Sequence, residues 1–98
     1  MKIGQIVKER YEILKILGEG GMAFVYKARD TQLERFVAIK TLKPNYVNQE
    51  TFVDRFKREA KTAANLNHPN IVQIFDWGIE GEPYFVMEYI EGNTLTSI

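Results

Sequence analysis

The sequence predicts an α+β domain, built as a five-stranded antiparallel sheet with one main helix. Short apolar or alternating stretches recur along the chain with glycine- or proline-containing turns between them, which is typical of strands joined in hairpins. One longer segment instead repeats its apolar residues at helical spacing. The 98 residues, 45% of them hydrophobic, suffice for one small core but not for a second domain.

The strands are predicted from apolar runs and from alternation. They are expected at Tyr11 to Leu17, Ala23 to Arg29, Arg35 to Leu42, Ile71 to Trp77 and Tyr84 to Ile90. The helix is predicted from Thr51 to Leu66, because Phe52, Phe56, Ala60 and Ala63 recur at helical spacing. The segment around His68, which precedes Pro69, ends this helix, and His68 is interpreted as a residue of the helix end or turn.

Two charged residues fall on apolar faces of these elements. Lys40 shares one face of its predicted strand with Ala38 and Leu42. Glu59 lies within the apolar stripe of the predicted helix, about 20° from Phe52 on a helical wheel. A buried charge is costly without a partner, so each of these two residues is expected to require an opposite charge.

The turn between the first two strands is rich in glycine. Gly18 to Met22 contains three glycines, which permit positive φ and let the backbone approach a ligand closely. With Ala23 in place of a third glycine, the segment nearly satisfies G-x-G-x-x-G, a pattern that dinucleotide-binding folds also use. There the glycines open a helix, whereas here they precede the β-prone run Phe24 to Tyr26. From the residues alone, a plain long hairpin turn remains an equal alternative.

Composition argues against several classes of function. Lys plus Arg and Asp plus Glu both number 13, and no long block of like charges occurs, so nucleic acid is not an expected partner. There is no cysteine and one histidine, so no metal site and no disulfide are expected. No apolar run approaches the length of a membrane span, so the chain is expected to be soluble and cytoplasmic. A parent protein tethered to a membrane through a downstream segment remains compatible with this.

Several motifs together resemble protein kinases. Gly18 to Val25, followed by Val37-Ala38-Ile39-Lys40, resembles the glycine-rich loop and the lysine strand of that family. Arg58-Glu59-Ala60 is similar to the segment of helix αC that carries its glutamate. The segment His68 to Val72 is similar to the one that leads into the fourth strand of the family. The segment Val86 to Gly92 is similar to its fifth strand and hinge. The resemblance begins at Tyr11 and is strongest to bacterial eukaryotic-like (Hanks-type) serine/threonine kinases.

The resemblance implies that residues 1–98 are the N-terminal, ATP-binding lobe of a kinase, with the C-terminal lobe absent. Lys40 and Glu59 would pair and position the ATP phosphates, with Mg²⁺ held by groups outside this chain. Leu17, Val25 and Ala38 would sandwich the adenine. Met87 would be the gatekeeper residue. The implied nucleotide-binding residues are Leu17, Gly18, Glu19, Gly20, Gly21, Met22, Ala23, Val25, Ala38, Lys40, Met87, Glu88 and Ile90.

Of these, Glu88 would orient the adenine through its carbonyl and Ile90 through its amide. Ala23 replaces a glycine by one methyl group, so phosphate binding is expected to survive with a less flexible loop. The aromatic residues Phe75, Trp77 and Tyr84 are interpreted as core or surface residues of the lobe.

Two functions follow from the resemblance. In the first, the chain is a piece of a serine/threonine kinase that transfers the γ-phosphoryl group of ATP to protein substrates. In the second, it is a stand-alone lobe that acts as a protein-interaction or dimerisation module. The catalytic H-R-D and D-F-G motifs do not occur in the sequence, so the chain alone is expected to be inactive. An uncovered apolar face predicts self-association, as a dimer or a domain swap.

Overall fold

The computed structural model describes residues 1–65 and 74–89. Its strands are β1 (Ile6–Val7), β2 (Tyr11–Glu19), β3 (Ala23–Asp30), β4 (Arg35–Leu42), β5 (Ile74–Glu80) and β6 (Glu82–Glu88). They form one antiparallel sheet in the order β1-β2-β3-β4-β6-β5. A 3-10 turn (Pro44–Tyr46) leads from β4 into helix α1 (Glu50–Asn65).

The structure confirms the predicted α+β sheet with one helix and adds a sixth strand. Strand β1 has two residues, of which Val7 is buried and Ile6 is exposed. Two residues are too few to show the alternation from which a strand is predicted. Strand β6 begins before its predicted start and includes Pro83. This proline pairs only with Ile79 of β5, because the ladder to β4 ends at Tyr84, so its missing N–H leaves no bond unmade on the β4 side.

Parts of several predicted elements lie outside the described residues. These are the last helical position, Leu66, the turn around His68, the first three residues of the predicted fourth strand and the last residue of the fifth, Ile90.

Alternating side chains of the sheet form two clusters, one on each face. The outer cluster comprises Val7, Tyr11, Ile13, Tyr26, Ala28, Val37, Ile39, Tyr84 and Val86. The helix-side cluster comprises Ala23, Ala38, Leu42, Phe56, Phe85 and Met87. Strand β4 contributes to both clusters at alternate positions, as its sequence predicted, because successive strand residues point to opposite faces.

Helix α1 packs on the sheet through part of its apolar stripe. Phe56 is 4% exposed, and its ring centroid lies 5.0 Å from that of Phe85 on β6. Phe52 is half-buried and packs edge-on against Tyr46 of the 3-10 turn, at 4.8 Å. The predicted stripe is therefore confirmed at Phe52 and Phe56, and the Phe52 ring covers the connection to β4.

Tyr11 is buried in the outer cluster, and its hydroxyl donates to Asp76 Oδ2 at 3.1 Å. Burial, followed by the nearby Asp76 carboxylate, raises the pKa of Tyr11 from 10.0 to about 12. Its contribution to stability is therefore complete below pH 10 and is lost as the pH rises from 10 to about 12. Tyr11→Phe removes this titration, so the unfolding free energy of the variant should fall by roughly 3 kcal/mol less than that of the unsubstituted chain across this window, as measured by denaturant titration.

Asp76→Asn is the companion variant for Tyr11→Phe. It removes the second cause of the raised pKa but keeps the burial, so it should flatten the same window by a smaller amount. If Tyr11→Phe leaves the slope of unfolding free energy against pH unchanged in this window, the pKa of Tyr11 is not raised by its burial and by Asp76.

Candidate nucleotide-binding site

The glycine-rich segment is the tip of the hairpin between β2 and β3. Gly18 pairs with Val25 inside the ladder, and the Gly20 amide donates to the Ala23 carbonyl at 2.9 Å. These glycines permit positive φ, but among the described glycines it occurs only at Gly4 and Gly81. The tip therefore closes without left-handed backbone.

The tip glycines instead provide open space. A Cβ built on Gly18, Gly20 or Gly21 would meet no atom of the described chain within 4 Å. Their lack of a side chain thus satisfies no internal packing requirement. It leaves the backbone of the tip open to a close approach from outside, which suits binding of an anion. Ala23 differs from these glycines because it is 7% exposed and belongs to the helix-side cluster.

Four residues predicted to surround adenine share one face of the sheet. Ala38 and Met87 belong to the helix-side cluster, pair directly across β4 and β6, and are at most 4% exposed. Leu17 and Val25 are half-buried and pack against this cluster. Leu17 occupies a register shift between Ile16 and Gly18, and a shift of this kind changes the face to which a side chain points. The structure therefore brings these four residues together on one apolar surface.

The two predicted charged residues form an ion pair. Lys40 Nζ lies 2.5 Å from Glu59 Oε1, which joins β4 to α1. The Lys40 side chain is 17% exposed, and its ammonium lies 5.9 Å from the centroid of the Phe85 ring. Glu59 is 48% exposed, so the expectation that both charges are buried is wrong for the carboxylate. The physical reason is that Phe56 makes the contact with the sheet, and Glu59, three residues on, is turned by about 60° around the helix axis from it.

The hinge is described only in part. Glu88 is the last residue of β6, pairs with Val37 and is half-buried, and Tyr89 follows it. The predicted contribution of Ile90 lies outside the described residues.

Among the aromatic residues predicted to lie in the core or on the surface of the lobe, Tyr84 is 3% exposed, whereas Trp77 is 61% exposed.

Two groups at the site were not singled out from the sequence. Lys43, the residue after β4, lies 2.6 Å from Glu19 through its ammonium. The sequence could have indicated the position of Lys43, because extending the alternation of β4 by one residue places it on the face opposite Lys40. Phe24, at the start of β3, lies beneath that ammonium, with 5.0 Å between Nζ and the ring centroid.

The described part of the chain holds neither a cluster of metal ligands nor a helix that could span a membrane. Residues 1–65 and 74–89 hold no group of three or more His, Asp or Glu side chains placed to share a metal ion. In those same residues no helix combines the length and the apolar composition needed to span a bilayer.

Relatives of known class match nearly the whole chain. A probable serine/threonine-protein kinase of Clostridium perfringens is 54% identical over 97 residues, which cover 98% of this chain and 14% of the relative. The serine/threonine-protein kinase PrkC of Bacillus subtilis is 53% identical over 96 residues, or 97% of this chain and 15% of PrkC. The chain thus spans about a seventh of the length of these relatives.

Solved structures and family models agree with these relatives. The apo form of PpkA-294 superposes with a TM-score of 0.82 at 27% identity, over 94% of this chain and 39% of the other. The model of the protein kinase domain matches residues 11–98. The chain therefore belongs to the protein kinase family, of whose catalytic domain it is the N-terminal portion.

Proposed function

We propose that the chain is the ATP-binding lobe of a serine/threonine protein kinase, which transfers the γ-phosphoryl group of ATP to protein hydroxyl groups. The observation that carries the proposal is the Lys40–Glu59 ion pair next to an open glycine hairpin. A kinase requires this lysine–glutamate pair to hold the phosphates for transfer. Two relatives named as serine/threonine kinases, each above 50% identity, support the choice of substrate hydroxyl.

Each part of the site has a role in binding ATP. The backbone amide of Gly21 donates to a phosphate oxygen, because the open space at the tip admits a close approach. Lys40 adds a positive charge that Glu59 orients. The apolar surface around Ala38 takes the adenine, and the Glu88 carbonyl with the Ile90 amide orients the base. Groups outside this chain would hold Mg²⁺, which would neutralise charge on the phosphates.

The test uses the intact protein that carries this chain. Incubation with Mg²⁺, γ-labelled ATP and a mixed peptide library should give phosphoserine and phosphothreonine on acid hydrolysis. Labelled phosphotyrosine as the main product would overturn the choice of hydroxyl. No labelled product of any kind, from protein shown to be folded, would overturn the proposed reaction.

The chain alone is predicted to bind ATP weakly and to transfer no phosphoryl group. One wall of the site consists of the half-buried side chains of Leu17 and Val25, and the sequence carries neither H-R-D nor D-F-G. Calorimetry on the 98-residue chain should show no binding tighter than about 100 μM, since half of the contacts that bury a nucleotide are missing. Low-micromolar affinity would contradict this prediction.

An interaction module is the second candidate function, and exposed apolar side chains favour it. Ile3, Leu33, Trp77 and Ile79 are each more than half exposed. Together with the half-buried helix-side surface, they predict self-association of the chain as a dimer or by a domain swap. Light scattering at high micromolar concentration should therefore give a mass near twice 11.4 kDa. A clean monomer would remove this candidate.

The remaining partners follow from the proposed reaction. The chain would bind a kinase C-terminal lobe along its helix-side face, and the protein substrate would contact mainly that second lobe. We propose a cytoplasmic location, where ATP is available. Nucleic acid is not a proposed partner, because the chain carries no net positive charge.

A further inference from the structure

We infer that Glu19 and Lys43 form a latch across the back of the glycine hairpin and position it for ATP, an inference that rests on the proposed function. Lys43 Nζ lies 2.6 Å from Glu19 Oε2. Glu19 is the last residue of β2 and Lys43 directly follows β4, and these two strands are not neighbours, because β3 lies between them. The ion pair therefore spans the middle strand at the point where the hairpin tip begins.

The latch lies on the sheet face opposite Lys40. Glu19 pairs directly with Phe24, and directly paired residues share a face. Phe24 packs against the outer cluster. Along β4, Val37 and Ile39 belong to that cluster, so Lys40, the next residue, points to the opposite face. The carboxylate of Glu19 is thus drawn to the outer face, away from the place where phosphates would bind. Glu19 would serve ATP through the position of its backbone.

Lys43 holds the hairpin at three points. Its amide donates to the carbonyl of Met22, at the tip, over 2.7 Å. Its ammonium lies over the Phe24 ring at 5.0 Å and binds Glu19 on the far strand. The Lys43 side chain is only 16% exposed, so its surroundings restrict its position. The Glu19 side chain is 60% exposed, so its main restraint is the ion pair with Lys43. These contacts limit how far the tip can move from the end of β4.

The latch has a consequence for nucleotide affinity. A tip that is already ordered loses less conformational freedom when phosphates bind, so a broken latch should raise the KM for ATP. Loss of Lys43 should raise it more than loss of Glu19. Without Lys43, the negative charge of Glu19 is left uncompensated near the tip and repels incoming phosphates. Without Glu19, the positive charge of Lys43 is left uncompensated there and attracts them.

The experiment is a double-mutant cycle in the intact protein, with Glu19→Gln, Lys43→Met and the double variant. We expect Lys43→Met to raise the KM for ATP about fivefold and Glu19→Gln about twofold, the range that a partly exposed ion pair allows. The kcat should change less than the KM does, and the KM for the protein substrate should stay constant. The exchanged pair, Glu19→Lys with Lys43→Glu, should recover most of the affinity.

Two controls separate the possible failures. Lys57→Met removes an exposed lysine from α1 and should leave both kinetic constants unchanged. Lys40→Met tests the proposed function itself. If Lys40→Met abolishes activity but the cycle shows no coupling in the KM for ATP, the latch is wrong and the kinase assignment stands. If Lys40→Met leaves activity intact, the proposed function is wrong, and the latch inference that rests on it falls with it. Equal losses of kcat and thermal stability in both latch variants would indicate a purely structural role and also overturn the inference.

Discussion

Lys40→Met in the intact protein is expected to lower the kcat for phosphoryl transfer at least a hundredfold. Lys40 supplies a positive charge oriented by Glu59 at 2.5 Å, beside the hairpin that would cover the phosphates. Removing one preorganised electrostatic group of this kind typically costs about 100- to 1000-fold in kcat. Methionine fills similar space without the charge, so the loss should fall on catalysis. The measurement is initial rate against ATP concentration.

The fold should survive this substitution for a reason visible in the structure. Glu59 is 48% exposed, so losing its partner leaves a carboxylate that water can still solvate. Thermal unfolding of Lys40→Met should therefore occur within a few degrees of the unsubstituted protein. The matched control is again Lys57→Met. Activity of Lys40→Met within threefold of the unsubstituted protein would show that Lys40 has another role.

The sequence predicted those parts of the fold that repeat a period. The alternation of β4 placed Ala38 and Lys40 on one face, and the structure confirms both positions. Helical spacing likewise identified α1 and its buried Phe56. A period reports which residues share a face, and burial then follows from the hydrophobic effect. It does not report how an element sits on its neighbour, which is why the exposure of Glu59 was not predicted.

Other features depend on contacts between distant residues and carry no local signal. Strand β1 is defined by the pairing of Val7 with Tyr11 and not by its own two residues. The register shift that exposes Leu17 to the helix-side face depends on the partner strand β3. The Glu19–Lys43 pair joins residues from strands that are not adjacent. Each of these features required the assembled sheet, even though every residue type involved was visible in the sequence.

Asp30→Ala is expected to lower the free energy of unfolding by about 3 kcal/mol, because it breaks a buried charged pair. Asp30 is fully buried, and its carboxylate accepts two bonds of 2.8 Å from Arg10. It also accepts from the amides of Gln32 and Leu33, which form the turn between β3 and β4. Alanine removes the acceptor of these four bonds and of a fifth, from Arg35 Nε at 3.4 Å, and leaves the partly covered Arg10 guanidinium without its anion. Urea unfolding of the chain measures the change, and Asp54→Ala, at an exposed position on α1, is the control.

The same carboxylate makes stability depend on pH on the acid side. Its hydrogen bonds with Arg10, together with those from the turn amides, hold the pKa of Asp30 well below its ordinary value of 3.8. A carboxyl group with a depressed pKa contributes its full stabilisation above that ordinary value, and the contribution is lost as the pH falls below it. Asp30→Asn keeps an oxygen for the turn amides but cannot titrate. It should therefore be less damaging than Asp30→Ala, and its unfolding free energy should fall less steeply with acid. An equally steep fall in Asp30→Asn would assign the acid sensitivity to other carboxylates.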